Sequence, residues 1–353
     1  MRNSIYTITF ILFVTHNLFA CIIPPQSGSA DLIFDNSFEI PTLVLTPTNP
    51  PFELTLSSPT FYENISYGEC ERNVFDIFIP NSIDPTPLVV FIHGGGFTGG
   101  DKSIPYTNAG FQQLIDNLLA QNIAFATINY RFLLENETEG VLKPLNDSKR
   151  ALQFIKYYSH SLNLDKNKVV LLGSSAGAGT SLWLAFSDDM STVNSSDGVL
   201  RESTRVQGLV CTETQSSYDI LEWHNSTFLE YQPFGLDFDS IVNLVGEPTL
   251  LKFYGVNSMS ELDTLAIEQD RMKLDMLNLL TSDDPEFYLS NSNNDYVYPT
   301  TNAELLHHPL HSKVLMDKAL IENVPTVVYL PSMNIDTRNG ESIYDFIIRK
   351  IGN

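Results

Sequence analysis

The chain has 353 residues, of which 43% are hydrophobic and 18% are charged, so it can bury a sizeable core within one large α/β domain. It carries 42 acidic and 20 basic residues, which gives a formal net charge of −22. This charge excludes nucleic acid as a partner, because phosphate binding requires a basic surface. An acidic surface of this kind keeps an extracellular protein in solution.

The first twenty residues are typical of an export signal peptide. Arg2 is the only early charge, the next stretch is nearly all apolar, and Ala20 is a small residue suited to cleavage. The apolar stretch is too short to predict a membrane span. The residues before Cys21 also resemble a bacterial lipobox, in which Cys21 would carry a lipid anchor. We therefore expect an exported protein, and secretion and lipid anchoring through Cys21 both stay open.

Residues 21–60 are rich in Pro, Ser and Thr. This composition predicts a tether with one or two short edge strands rather than a second domain.

Residues 61–353 are predicted to form a single domain in which strands and helices alternate. Such alternation indicates a mostly parallel sheet with crossover helices, and the continuous apolar run at 88–92 is typical of a strand covered on both faces. The predicted strands are Asn73–Ile79, Leu88–Ile92, Ile123–Ile128, Lys168–Leu172, Arg205–Cys211, Glu286–Leu289 and Pro325–Leu330. The predicted helices are Phe111–Leu119, Asp147–Ser159, Ala176–Phe186, Pro309–Ile321 and Ser342–Ile351.

A glycine-rich loop, His93-Gly94-Gly95-Gly96-Phe97, follows the second predicted strand. Glycines without side chains allow backbone N–H groups to turn toward a substrate oxygen, as an oxyanion hole requires. We predict Gly95 and Gly96 as two of the donors. His93 is predicted to brace the loop rather than to act as a base.

The segment Gly173-Ser174-Ser175-Ala176-Gly177 matches the pattern G-x-S-x-G between an apolar strand and an apolar helix. In that setting the central Ser lies on a strained turn that exposes its hydroxyl group. We predict Ser175 as a nucleophile and the N–H of Ala176 as a further oxyanion donor.

Between about residues 215 and 285 the alternation of strands stops, and this predicts an inserted cap. The stretch is rich in aromatic residues and contains a helical pattern with Ser260 as its predicted N-cap. An insertion at this point would overhang the carboxyl ends of the strands, where ligands bind in open α/β sheets.

These motifs, together with Asn129-Tyr130-Arg131, resemble the carboxylesterase branch of the α/β-hydrolase superfamily, including hormone-sensitive-lipase-like and feruloyl- or acetyl-esterase-like members. The resemblance covers nearly the whole chain after residue 60. It implies an α/β-hydrolase fold, a Ser-Asp-His triad, hydrolysis of carboxylic esters and no cofactor. Ser174 stands where such families usually have Asp or Glu, a departure with no evident chemical cost.

The base is absent from the place that the resemblance implies. In the superfamily the acid follows the strand after the cap, and the His follows the last strand. Asp295 suits the acid's position, although an Asp among Asn and Ser residues is equally typical of a turn. No His occurs after residue 311.

Three neighbouring histidines are the candidates for the base: His307, His308 and His311. They precede or begin a predicted helix with Pro309 in its first turn, and such helices begin at the same sheet edge as Ser175. The helix dipole there favours a neutral imidazole. We predict His308 ahead of His307. The alternatives are a structural cluster, a metal site shared with Asp295, and His224 of the cap.

Three cysteines leave the disulfide pattern open. If Cys21 is lipidated, Cys70 and Cys211 could pair, but Cys211 lies in an apolar run where a free, buried thiol is more common.

We therefore predict an exported serine carboxylic-ester hydrolase that acts on a small-molecule or polysaccharide ester, with no metal and no cofactor. The alternative is a non-catalytic binding protein of the same fold that lacks a complete triad. An exopeptidase of this fold is less expected, because such enzymes generally carry a large additional domain.

Overall fold

The computed structural model describes residues 42–352. The predicted signal peptide, the cleavage point at Ala20–Cys21 and the predicted lipid-anchor site at Cys21 lie outside these residues. In the described part of the predicted tether, the backbone forms one isolated bridge, from Thr48 to Phe61, and a strand at the edge of the sheet begins at Thr60.

A nine-stranded sheet forms the centre of the described chain, in the order β1-β2-β4-β3-β5-β6-β7-β8-β9. The strands from β4 to β8 along this order pair in parallel, whereas β1, β2 and β9 pair antiparallel to their neighbours. The strands are β1 (Thr60–Ser66), β2 (Val74–Ile79), β3 (Thr86–Ile92), β4 (Ala124–Ile128), β5 (Leu164–Ser174), β6 (Gly208–Thr212), β7 (Phe287–Ser290), β8 (Thr326–Leu330) and β9 (Ile335–Asp336). The predicted α/β-hydrolase fold with a mostly parallel sheet is confirmed.

Ten α-helices accompany the sheet in the described chain. They are α1 (Ala109–Ala120), α2 (Leu142–Tyr157), α3 (Ala176–Phe186), α4 (Phe238–Val245), α5 (Glu247–Tyr254), α6 (Leu265–Leu274), α7 (Met276–Leu279), α8 (Asn302–Leu306), α9 (Pro309–Glu322) and α10 (Ile343–Ile351). None of these helices within residues 42–352 has the length and apolarity that a membrane crossing needs.

Alternate residues of the central strands supply two separate cores, because successive side chains of a strand point to opposite faces. Val89 and Phe91 of β3 pack with α1 and α10 on one face of the sheet. Leu88 and Val90 pack on the other face with α2, α3, α9 and the cap. Every residue of β3 is buried, as the continuous apolar run predicts.

The cap between β6 and β7 contains helices α4 to α7 and is bound to the core at several points. Trp183 of α3 donates its indole N–H to the carbonyl of Lys273, 2.9 Å away, and Tyr218 donates its hydroxyl to the carbonyl of Ala176. The predicted N-cap at Ser260 is wrong: a short 3₁₀ turn covers Met259–Asp263, and α6 begins after Thr264.

The described cysteines do not pair with each other. Cys211 is free and fully buried in β6, whereas Cys70 is disulfide-bonded. The pairing of Cys70 with Cys211 that the sequence leaves open is therefore excluded. Burial raises the pKa of the Cys211 thiol, which keeps it protonated and unreactive.

Candidate active site

Ser175 lies on a sharp turn between β5 and α3, at the carboxyl edge of the sheet. Its backbone has φ 51° and ψ −123°, a conformation that a residue with a side chain rarely adopts. The turn is fixed on both sides, since Ser175 donates its N–H to the carbonyl of Thr212 and its own carbonyl accepts the N–H of Gly179. The predicted strand-to-helix elbow is present.

The glycines of the elbow allow three backbone segments to meet. A Cβ atom on Gly177 would lie 1.9 Å from the carbonyl oxygen of Ile92 in β3, and one on Gly173 would lie 2.3 Å from the carbonyl oxygen of Gly177. Both clashes involve backbone atoms, which cannot move aside. The first and last glycines of G-x-S-x-G are therefore required by close backbone approach.

The glycine-rich loop after β3 lies directly against the elbow. A Cβ atom on Gly94 would lie 2.8 Å from the carbonyl oxygen of Ser174. Gly95 and Gly96 are exposed and have positive φ values of 108° and 59°. In residues 42–352 no protein group accepts the N–H of Gly95, Gly96 or Ala176. These three N–H groups, the predicted oxyanion donors, are thus free to bind a substrate oxygen.

Arg72, which was not among the residues predicted from the sequence, holds this loop in place. Its guanidinium donates to the carbonyl oxygens of Tyr130 and Gly100, at 2.8 and 3.2 Å, and lies over the ring of Phe132. His93 is fully buried, stacks on Tyr130 and contacts the same guanidinium. Burial lowers the pKa of His93 to about 4, so it is a neutral support, as predicted, rather than a base.

His307 is the histidine that reaches Ser175. Its Nε2 atom lies 2.8 Å from Ser175 Oγ, a distance at which a hydroxyl donates to an unprotonated ring nitrogen. The ring is only partly buried, so the pair remains open to a substrate.

The prediction that His308 occupies this position is wrong, and Pro309 explains why. A residue before proline avoids the helical conformation, and His308 is accordingly extended, with φ −61° and ψ 138°. The chain therefore turns between the end of α8 at Leu306 and the start of α9 at Pro309. His308 becomes the N-cap of α9 and accepts the N–H of Leu310 on its Nδ1 atom. Its Nε2 atom faces the carbonyl of Val297.

His311 is fully buried one turn further along α9 and also has a structural role. Its Nδ1 atom lies 3.0 Å from the hydroxyl oxygen of Ser216, and its Nε2 atom lies 3.1 Å from the carbonyl oxygen of Leu305. Burial is the main cause that lowers its pKa from 6.5 to about 3. Between pH 6.5 and about 3, the folded protein therefore keeps His311 neutral, whereas the unfolded chain takes up a proton on this side chain.

This difference predicts a loss of stability in acid. The stabilisation is complete above pH 6.5 and decreases between pH 6.5 and about 3, because only the unfolded chain takes up the proton. We expect His311→Asn to flatten the decline in the free energy of unfolding by up to about 1.4 kcal/mol per pH unit over that range. Urea unfolding at a series of pH values measures this slope. The exposed His160 provides the control, and an equal slope change in His160→Asn would contradict the prediction.

Polar side chains hold the turn that carries His307. Asn291, at the end of β7, donates its side-chain N–H to the carbonyl of His307 at 2.7 Å. Gln215, at the start of the cap, donates to the carbonyl of Leu306 at 2.8 Å. The last carbonyls of a helix have no intrahelical partner, so these two amides satisfy the end of α8 and fix its position.

Asp295, the predicted acid, has no hydrogen bond to the other predicted site residues in the described chain. Its side chain is exposed in the loop after β7 and forms no hydrogen bond with His307 among the described residues. His224 remains in the cap with its ring beside Phe238. Across residues 42–352 no three His, Cys, Asp or Glu side chains are grouped as metal ligands.

Comparisons with known proteins agree with this geometry. The sequence profile of the family described as BD-FAE matches residues 75–310. A probable isoprenylcysteine alpha-carbonyl methylesterase of Arabidopsis thaliana is 30% identical over 122 residues, which cover 34% of this chain and 24% of that protein. A secreted lipase of Arthroderma benhamiae is 29% identical over 172 residues, which cover 44% of this chain and 33% of that protein. The chain thus spans a third or less of the length of these relatives.

Two solved structures share the fold. An acetyl ester-xyloside bifunctional hydrolase from Caldicellulosiruptor lactoaceticus aligns with 86% of this chain and 85% of its own, with a TM-score of 0.51 and 19% identity. A truncated carbohydrate esterase from gut microbiota aligns with 82% of this chain and 96% of its own, with a TM-score of 0.57 and 15% identity. At these identities the likeness concerns the fold alone.

Proposed function

Because this chain belongs to the BD-FAE family, we propose that it is a serine esterase that hydrolyses carboxylic esters through an acyl-enzyme on Ser175. The observation that carries the proposal is the distance of 2.8 Å between Ser175 Oγ and His307 Nε2. A nucleophile within hydrogen-bond reach of a neutral base is the arrangement that acyl transfer requires.

The reaction begins when Ser175 Oγ attacks the acyl carbon and His307 Nε2 takes the hydroxyl proton. The C–O bond to the alcohol then breaks, and the imidazolium returns the proton to the leaving alcohol oxygen. Water attacks the acyl-enzyme in the second half, again through His307. This step releases the carboxylic acid and restores the Ser175 hydroxyl.

The N–H groups of Gly95, Gly96 and Ala176 hold the oxyanion that forms in each half of the reaction. Donors of this kind contribute most when they are already in place before charge develops, and each is worth about 10²–10³ in rate. The bracing of the loop by Arg72 and by buried His93 keeps the glycine N–H groups in position.

We propose an acylated carbohydrate as the substrate. One neighbour in fold is described as an acetyl ester-xyloside bifunctional hydrolase and another as a carbohydrate esterase. The exposed Gly95 and Gly96 leave the site open to a bulky alcohol. Exposed Tyr296 and Tyr298 pack around Tyr231 on the edge of the cap, close to the turn that carries His307. Aromatic faces of this kind bind the apolar faces of sugar rings.

Export through the signal-like first twenty residues would place the enzyme where such polymers occur.

Covalent labelling tests the esterase proposal. A fluorophosphonate probe should modify the folded protein once, on the peptide that contains Ser175, as measured by mass spectrometry. Turnover of acetylated xylo-oligosaccharide, methyl ferulate and tributyrin then separates the substrate classes, and we expect the first two to be preferred. Folded protein that takes up no probe and cleaves no ester would contradict the esterase proposal and favour the non-catalytic alternative. A preference for tributyrin would contradict only the carbohydrate substrate.

A further inference from the structure

His307 has a second ring nitrogen, Nδ1, on the side away from Ser175. In the described chain the Nδ1 atom of His307 has no hydrogen-bond partner, and the exposed carboxylate of Asp295 forms no hydrogen bond to it. An imidazole that accepts a proton on Nε2 benefits from a carboxylate near Nδ1, which orients the ring and stabilises the imidazolium.

Strained backbone marks three positions around the nucleophile. Nine residues other than glycine have positive φ in residues 42–352, and six of them are Asn, which tolerates this conformation. The other three are Phe97 of the glycine-rich loop, Ser175 and Glu213. Strain of this kind costs about 1–3 kcal/mol and persists mainly at functional sites. Glu213 therefore shares its strained backbone with the glycine-rich loop and with Ser175, the two segments already described at the site.

Glu213 follows β6, the strand beside the one that carries the nucleophile. Thr212, immediately before it, pairs with Ser174 and accepts the N–H of Ser175. Glu213 itself donates its N–H to the carbonyl of Ser290 at the end of β7. Its backbone is therefore fixed at the carboxyl edge between the strand next to Ser175 and the strand that leads to His307.

Two links connect Glu213 to the turn that carries His307. Gln215, two residues further on, donates to the carbonyl of Leu306. The Glu213 carboxylate accepts the side-chain N–H of Asn293, from the short loop in which Asn291 donates to the carbonyl of His307.

The other acidic groups near this turn are engaged elsewhere. Glu304 of α8 closes a capping box with Thr301, and Glu230 of the cap accepts the hydroxyl of Tyr296. The remaining titratable neighbours on α9 are His308 and His311, which carry no negative charge. Glu213 is partly buried, and its carboxylate has a single hydrogen-bond partner in the described chain, the neutral side-chain amide of Asn293, so it is the acid that can turn to His307.

We infer that Glu213, rather than Asp295, is the positioning residue that supports His307. The inference rests on the proposed function. In the superfamily that the chain resembles, the acid follows the strand after the cap and the His follows the last strand. In this chain each residue follows an earlier strand: the acid follows β6, and the base follows β7. The side chain of Glu213 turns from Asn293 toward the Nδ1 atom as His307 becomes positively charged, and this favours proton transfer from Ser175.

Three variants test this assignment by turnover. Glu213→Gln keeps the shape and the contact to Asn293 but removes the charge, and we expect kcat to fall about 10²- to 10⁴-fold. The acid limb of the kcat/KM profile should move to lower pH, since the imidazolium loses its stabilising carboxylate. Glu213→Asp should recover part of the loss. Asp295→Asn is the matched control and should leave both kcat and the profile unchanged.

A titration of the His307 imidazole by NMR, assigned with His307→Gln, gives the same answer without turnover. Its midpoint should move to lower pH in Glu213→Gln and stay in place in Asp295→Asn. The opposite pattern, or a loss of activity in Glu213→Gln with no change in pH dependence, would overturn the inference. Unaltered protein that neither hydrolyses esters nor reacts with a fluorophosphonate would refute the proposed function instead, and the titration would still decide the role of Glu213.

Discussion

Replacement of Ser175 by alanine is expected to lower kcat for a short p-nitrophenyl ester by on the order of 10⁴- to 10⁶-fold. The hydroxyl is the atom that forms the acyl-enzyme, and no other hydroxyl is placed 2.8 Å from His307 Nε2 in the described chain. Residual catalysis would come from the oxyanion donors and from substrate binding. Initial rates, with active-site titration of the unaltered enzyme, measure the difference.

The control for this experiment is Ser174→Ala, the neighbouring serine at the end of β5. Ser174 lies in regular strand and has φ outside the strained region that Ser175 occupies, so its loss should alter kcat little. Comparable losses in both variants, with both proteins folded, would mean that the elbow rather than the Ser175 hydroxyl is responsible.

Replacement of His307 by glutamine is expected to lower kcat by on the order of 10⁴-fold or more, while the protein remains folded. Glutamine can occupy the space of the ring but cannot take the proton of Ser175. The loss should appear in the burst of acylation as well as in steady-state turnover, because the base acts in both halves of the reaction. Stopped-flow measurement of p-nitrophenol release separates the two steps.

The matched control is His308→Asn, one residue along the chain. Asparagine retains an acceptor for the N-cap of α9, so the change should cost about 1 kcal/mol or less in unfolding free energy and should leave kcat nearly intact. If His308→Asn abolished turnover and His307→Gln did not, the assignment of the base from the structure would be refuted.

Local sequence patterns predicted the central fold well. The apolar run at 88–92 identified a strand buried on both faces, and β3 has that environment throughout. Pro309 identified the start of α9, because proline suits only the first turn of a helix. α2 begins at Leu142, five residues before the predicted start at Asp147, because Pro144 fits the first turn of a helix, where its missing N–H costs nothing.

The candidate site was predicted in part. The order of the glycine loop and the G-x-S-x-G segment correctly placed Ser175 beside Gly94, since both follow parallel strands that end at one edge. The choice between His307 and His308 failed, although Pro309 carried the necessary signal. A residue before proline becomes an N-cap, and its side chain turns to its own helix.

The sequence by itself determined the alternation of strands and helices in the central sheet region, the strained elbow and the glycine loop, because each depends on short-range patterns of glycine, proline and apolar residues. Pro309 is a local signal against His308, but only the tertiary structure decided that His307 meets Ser175. This contact joins residues 132 positions apart and depends on how α8 ends against Asn291 and Gln215. The approach of two such segments follows from packing between distant parts of the chain, which no local pattern encodes.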